Sequence, residues 1–201
     1  MRITGGIYRS RLLRAPRGRE TRPTSDRVRQ ALFGMLEAAG AIRGARVLDL
    51  YAGTGALSCE AMSRGALHAT LVETSREALA VLQHNLASLG LEARTTVLAM
   101  PVDRAGKRLA GGEPFDLVLA DPPWDLVGSG DAPRAIAACI AAASLSGGAC
   151  VVLEHAARTE APTLEGLALD DARRYGDTAL AIYKTAILGP PCPPAARTPP
   201  P

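Results

Sequence analysis

The chain has 201 residues, 47% of them hydrophobic, enough for one domain with a sizeable core and a small appendage. Aromatics make up only 3%, so the core must be built from Leu, Val and Ala, and an aromatic in a loop is less readily explained as filling. The net charge of +3 hides an asymmetry: residues 1–30 hold nine arginines against Glu20 and Asp26, a net of +7, which leaves −4 on the remainder. Such an arm reads as a polyanion-binding surface, and arginine forks suit phosphate oxygens. No apolar stretch follows the basic start, and the run Ala135–Leu145 is too short to cross a bilayer. A secretory leader and a membrane span are therefore not expected, and a cytoplasmic protein is. The four cysteines (59, 139, 150 and 192) show neither a CxxC pair nor metal-ligand spacing, so they read as reduced structural thiols with no metal.

Residues 1–23 read as a basic extension in which Met1–Thr4 and Arg11–Leu13 can pair as a short hairpin. Residues 24–188 read as the main domain, and the proline-rich 189–201 as a disordered tail. The main domain opens with a helix capped by Thr24 or Ser25. Val28, Leu32, Met35, Leu36 and Ala39 recur at helical spacing, Arg27 and Arg29 lie off that stripe, and Gly40 ends it.

An alternation follows. Strands are expected at Val47–Leu50, Ala69–Val72, Thr95–Leu98, Phe115–Ala120 and Ala149–Leu153. Helices are expected at Ala56–Ser63, after a Ser75 cap up to Gly90, weakly over Arg104–Ala110, and from about Ala132, with a loop at 125–131. Ala179–Tyr183 pairs with residues before Gly176 as a final hairpin. Strands alternating with helices imply an α/β fold: a mostly parallel sheet of seven strands, helices on both faces, and an antiparallel edge strand from the last hairpin. Ligands in such sheets bind at the carboxyl ends of the strands.

Two constellations stand at those ends. Asp49-Leu50-Tyr51-Ala52-Gly53-Thr54-Gly55 turns the first strand into a helix. Gly53 and Gly55 let the backbone approach a ligand, but the third glycine of the dinucleotide pattern is replaced by Ser58. Glu73, ending the second strand, can accept both hydroxyls of a ribose, which suits NAD and S-adenosylmethionine equally. Asp49 is placed to accept an ammonium group. NAD has none, so Asp49 tilts the choice to the methyl donor.

The second constellation is Asp121-Pro122-Pro123-Trp124, after the strand at 115–120. The lone pair of an aromatic amine is delocalised into its ring and attacks poorly. Acceptors on both amine protons, here the Asp121 carboxylate and the Pro122 carbonyl, favour a more nucleophilic nitrogen. Pro123 fixes that carbonyl by holding Pro122 extended, and Trp124 can stack on an unstacked base. Other candidates are weaker: His68 and His84 read as surface or core residues, and Glu154-His155 follows a strand end where it could line the cleft.

The motifs resemble the RsmD family of bacterial small-subunit ribosomal RNA guanine-N2 methyltransferases, from Met1 to about Tyr183. Met1-Arg2-Ile3-Thr4-Gly5-Gly6 with Arg9 is similar to the family's opening, and Arg22-Pro23-Thr24-Ser25-Asp26-Arg27-Val28-Arg29 begins its most specific signature. The stretches 48–56, 60–66, 115–118, Glu154-His155 and Tyr175-Gly176-Asp177-Thr178 follow in order. The resemblance implies a class I methyltransferase fold, S-adenosylmethionine as donor, and a guanine of small-subunit rRNA as acceptor, free or in an assembled particle. It implies Asp121, Pro122, Pro123 and Trp124 at the target base and Glu73 at the ribose of the donor, where Asp49, Tyr51, Gly53 and Gly55 are the other expected contacts. Arg9, Arg11, Arg22, Thr24, Arg27 and Arg29 are the expected RNA contacts, and a monomer is the default. Two positions depart from the family. Pro101 stands where members carry an acidic residue near the adenine, with Asp103 a substitute, and Trp124 replaces a Tyr or Phe. The competing readings are a DNA adenine or cytosine amine methylase and a non-catalytic RNA-binding assembly protein.

Overall fold

The apolar runs become seven strands: β1 (Arg46–Leu50), β2 (His68–Glu73), β3 (Thr95–Ala99), β4 (Phe115–Ala120), β5 (Leu145–Ala156), β6 (Leu167–Tyr175) and β7 (Thr178–Thr185). Between them lie the helices α1 (Asp26–Ala38), α2 (Ala56–Ser63), α3 (Arg76–Leu89), α4 (Val102–Leu109), α5 (Trp124–Gly128) and α6 (Asp131–Ala142). The computed structural model describes residues 1–15 and 26–185. Arg22, the capping candidates Thr24 and Ser25, Cys192 and the tail 189–201 lie outside those residues.

The strands form one sheet in the order β3-β2-β1-β4-β5-β7-β6. The first five are parallel, and β7 runs antiparallel to both β5 and β6. The final hairpin thus supplies the antiparallel edge of the sheet, with β7 one place in and β6 outermost. Burial explains this. β7 carries the continuous apolar run Ala179–Tyr183, buried on both faces, whereas β6 carries Asp170, Asp171, Arg173 and Arg174. Charged side chains suit an edge, where they discourage pairing with another chain.

Side-chain alternation sorts the core into two layers. Val47, Leu71, Leu117 and Val152 face α1, α2 and α3, while Leu48, Val72, Val118 and Leu153 face α4, α5 and α6. Ser75 caps α3 by accepting from the Ala78 amide at 3.3 Å, and Gly90 ends that helix. The weak α4 signal has a packing cause: a Cβ at Gly106 would lie 2.9 Å from Ala142 Cβ on α6, so glycine permits the close approach of these helices. Cys59, Cys139 and Cys150 are free and buried, and burial pushes their thiols up to about 12, 11 and 11.

The N-terminal hairpin forms through the Arg2–Leu12 bridge. It is docked on the domain. Ile3 and Leu13 are buried in the α1–α3 layer, and the Thr4 amide and hydroxyl donate to Glu60 on α2 at 2.8 and 2.7 Å. Arg29 departs from its expected role. It is only 1% exposed, with Nε 3.4 Å from the buried Glu60 carboxylate and Nη2 donating to Asp26 at 2.8 Å and to the Arg2 carbonyl. Its position off the apolar stripe reads as a solvent face, but the docked hairpin covers that side of α1. Arg29 is an internal ion-pair partner and not an RNA contact.

Candidate functional site

The turn after β1 is tightly wound. Tyr51, Gly53 and Gly55 all have positive φ, at 60°, 55° and 76°. Such a backbone is costly for tyrosine, and strain of this kind concentrates at ligand sites. A Cβ added at Gly53 would meet nothing nearer than the Tyr51 carbonyl at 3.9 Å, so this backbone stands open for a ligand to approach. At Gly55 the same addition would press on Leu82 at 3.3 Å, so that glycine serves packing against α3.

Glu73 is drawn to the same turn. Its Oε2 accepts from the Gly53 amide at 2.8 Å, and its Oε1 from the Thr74 and Ser75 amides at 2.7 Å each. A carboxylate has about four acceptor sites and three are taken, so one lone pair remains for a ribose hydroxyl. Asp49 lies on the α2 side of β1, fully buried, where its Oδ2 accepts from the Ser58 amide and hydroxyl at 3.1 and 2.7 Å. Its Oδ1 is buried without a hydrogen-bond partner. An unmatched buried acceptor costs about 1–3 kcal/mol, a penalty that an ammonium or a bridging water relieves. The orphaned Asp49 oxygen, the open Gly53 backbone and the spare Glu73 lone pair fit the ammonium, carboxylate end and ribose of S-adenosylmethionine. Tyr51 and Asp103 flank this turn: burial raises the Tyr51 phenol above its ordinary value, with the Asp103 charge adding to it. Asp103 itself is exposed in the first turn of α4, just after Pro101.

Asp121 follows β4 beside β1. Leu50 pairs with Ala120, and the Asp121 amide donates to the Leu50 carbonyl at 3.4 Å. The charges of Asp121 and Glu73 both act on Asp49, so three carboxylates converge at the ends of β1, β2 and β4. The Pro123 carbonyl is taken by the Leu126 and Val127 amides as α5 begins, at 3.0 and 3.3 Å. Among the described residues no backbone donor takes the Pro122 carbonyl, and Pro122 itself is buried. Trp124 is the first residue of α5, a short helix in place of the loop expected at 125–131. It borders a cavity of about 480 Å³ together with Ala156, Ala157, Arg158, Arg174, Gly176 and Asp177. His155 is 2% exposed and holds the turn after β5, with Nδ1 3.0 Å from the Ala156 carbonyl; burial lowers its pKa.

Arg9, Arg11 and Arg27 are exposed, with Arg11 reaching the Ser88 carbonyl at 2.9 Å. A residue that sequence reasoning missed is Asn85 on α3, which is 1% exposed. Its Nδ2 donates to the Thr54 carbonyl at 2.9 Å and the Arg14 carbonyl at 3.2 Å, and its Oδ1 accepts from the Arg14 amide at 2.8 Å. One amide thus ties the basic extension to the glycine turn. The available signal was a polar residue on the apolar stripe of Leu82, Leu86 and Leu89.

Burial pushes the Asp49 carboxyl up to about 7, against the pull of the Ser58 hydrogen bonds and with help from Asp121 and Glu73. The ordinary value is 3.8, so between that pH and about 7 the fold holds a proton that the unfolded chain has lost. Asp49's contribution to stability is complete below this window and is lost as pH rises through about 7. Asp49→Asn should remove this dependence. Melting curves from pH 5 to 8 should show the difference between variant and wild type drifting in the variant's favour; a pH-independent difference would show that Asp49 does not titrate there.

The strand order and helices on both faces define a class I methyltransferase fold. The chain belongs to the RsmD family: the family model described as "Conserved hypothetical protein 95" matches residues 1–184. It is similar to the Bacillus subtilis "Putative rRNA methyltransferase YlbH", 33% identical over 190 residues that cover 92% of this chain and 98% of the relative. It is also similar to the Escherichia coli "Ribosomal RNA small subunit methyltransferase D", 40% identical over 124 residues, 62% of this chain and 60% of that one. The solved structure of the "Putative methyltransferase yhhF" from Escherichia coli superposes with a TM-score of 0.75 at 32% identity, covering 93% of this chain and 98% of that chain.

Proposed function

We propose that this protein transfers a methyl group from S-adenosylmethionine to the exocyclic N2 amine of a guanine in small-subunit (16S) ribosomal RNA. The observation that carries this reading is the adjacency of two strand ends. Asp121 follows β4 directly beside the glycine turn after β1, so a base at Asp121 and a donor at Gly53 would meet over one edge of the sheet. The named activities of the two curated relatives agree with an rRNA substrate. The exposed Arg9, Arg11 and Arg27 supply positive charge for a polyanion.

Bound at the turn, S-adenosylmethionine supplies an electrophilic methyl on a sulfonium, a good leaving group. Asp49 takes its ammonium and Glu73 a ribose hydroxyl. Asp121 and the Pro122 carbonyl accept the two protons of the target amine and draw its lone pair out of the ring. Trp124 holds the unstacked base flat. The proton shed as nitrogen is methylated passes to Asp121 or to water. Alignment matters here more than a strong base, because the leaving group is already good.

The short basic extension leaves much of the specificity to folded RNA. A partly assembled small-subunit particle is therefore the proposed substrate, met in the cytoplasm by a monomeric enzyme. Among the described residues no helix is long and apolar enough to cross a membrane. Labelled donor incubated with undermethylated small subunits should yield N2-methylguanosine on nucleoside analysis. Its absence, with donor binding shown by calorimetry, sinks the reading; label in duplex DNA instead would point to a DNA amine methylase.

Trp124→Ala should raise KM for RNA about tenfold, in keeping with roughly 1–3 kcal/mol for a stacked base. Trp124→Tyr should recover most of that loss. An unchanged KM in the alanine variant would count against stacking.

A further inference from the structure

The cavity beside Trp124 has a second wall, built from two elements far apart in sequence. The end of β5 and the turn after it contribute Ala156, Ala157 and Arg158, and the end of β6 and the turn to β7 contribute Arg174, Gly176 and Asp177. A backbone bond from the Ala157 amide to the Asp177 carbonyl, at 2.8 Å, staples the two turns together just beyond the last ladder pair, Ala156–Thr178. The first turn is closed on itself: the Thr159 amide and hydroxyl both donate to the Ala156 carbonyl, at 3.0 and 2.8 Å. His155 lies 3.2 Å from the same hydroxyl and backs the turn from the interior. Arg158 is thus carried by a braced turn, and Arg174 by the paired end of β6 opposite Ala179. Both arginines are exposed.

A cavity lined by an aromatic residue and two arginines suits a nucleotide extruded from its stack. The base has a face to lie on, and its flanking phosphates meet arginine forks. The cavity, at about 480 Å³, is in the range of small-ligand sites. From this geometry we infer that Arg158 and Arg174 form a phosphate clamp for the RNA strand that carries the target base. The clamp rests on the reading of Trp124 as the base-stacking ring. It assigns the strand's path to the β5 and β6–β7 turns, distinct from the N-terminal extension. Arg158 and Arg174 are positioning residues, since they hold the backbone and do not touch the reacting amine.

The test is equilibrium binding of a single-stranded RNA oligonucleotide containing guanine, measured by fluorescence anisotropy across a salt series. Each phosphate contact on a single strand contributes about 0.7 to the slope of log affinity against log salt. Arg158→Ala with Arg174→Ala should lower that slope by roughly 1.4 and weaken binding about tenfold or more near 0.1 M salt. Replacing both by lysine should restore the slope while affinity stays below wild type, because lysine is a point charge without the fork. Donor affinity and melting temperature should not change in either variant. An alanine double variant with an unaltered slope overturns the clamp, and so does a loss of RNA binding matched by a loss of donor binding or of folded protein. Because the readout is binding, it separates from the methylation reading. A wild type that fails to methylate rRNA yet shows the arginine-dependent slope keeps the clamp and loses the reaction. A wild type that methylates, with alanines that leave slope and KM unchanged, does the reverse.

Discussion

Asp121→Ala is expected to lower kcat for methyl transfer by about 10³-fold, within the range for loss of a positioned proton acceptor. Donor binding should persist. Asp121 stands after β4, while the donor residues stand after β1 and β2, so removing its carboxylate takes nothing from Gly53 or Glu73. One secondary effect is foreseeable. Asp121 contributes to raising the Asp49 carboxyl, so its loss should ease Asp49 ionisation and tighten donor binding slightly near neutral pH. Asp121→Asn separates two roles for the same side chain. An amide oxygen still accepts an amine hydrogen but takes no proton. Activity retained in Asn and lost in Ala therefore assigns Asp121 to amine positioning, with water as the proton sink. Equal losses assign it the proton as well. Donor affinity falling in step with kcat would move Asp121 out of the acceptor site altogether. Single-turnover methylation and donor calorimetry on the same preparations decide among these.

The second large effect concerns stability. Glu60 is fully buried on α2 and pairs with two arginines, Arg29 Nε at 3.4 Å and Arg64 Nη2 at 2.8 Å, while accepting from Thr4 twice. Arg64 also reaches Glu37 and lies over the Phe33 ring at 5.5 Å. Removing Glu60 leaves the two buried guanidiniums with only their outer carboxylates, Asp26 and Glu37, and strips Thr4 of its acceptor. Glu60→Ala should therefore cost about 3–5 kcal/mol, and lower the melting temperature by roughly 10 °C for a chain of this size. Glu60→Gln keeps an acceptor for Thr4 and should cost less. A shift below about 2 °C for the alanine variant would mean that water reaches these groups and that the network is worth no more than a surface pair. The same variant should loosen the N-terminal hairpin, read as faster amide exchange at Ile3 and Leu13.

This network marks the boundary of what could be read from residues alone. Helix α1 is legible in its apolar spacing, but Arg29, off that stripe, reads from sequence as an RNA contact. Its burial depends on a hairpin that returns over the helix from the chain's beginning. Asn85 was passed over for a related reason. A polar residue on a buried stripe signals a buried partner, but not which one, and the partners here are Thr54 and Arg14, at separations of 31 and 71 residues. The β6–β7 hairpin is legible too, and the structure adds which of its strands lies outermost. The polar residues before Gly176 and the apolar run after it already distinguish edge from interior. Helix α5 escaped because five residues give too short a stretch for a periodicity.

Legible in the residues alone are the alternation of strands and helices, the glycine turn, Asp49 in β1, Glu73 at the end of β2, and the Asp-Pro-Pro-Trp stretch after β4. These are local: apolar runs, caps and turn residues act over a few positions, and chemistry at a strand end is carried by adjacent residues. The tertiary structure alone decided which polar groups are buried, which wall faces Trp124 and how the extension is held. Those outcomes depend on desolvation and hydrogen bonding between segments tens of residues apart. The free energy of a buried Arg29 or Asp49 is set by what covers it, and no local pattern encodes that cover.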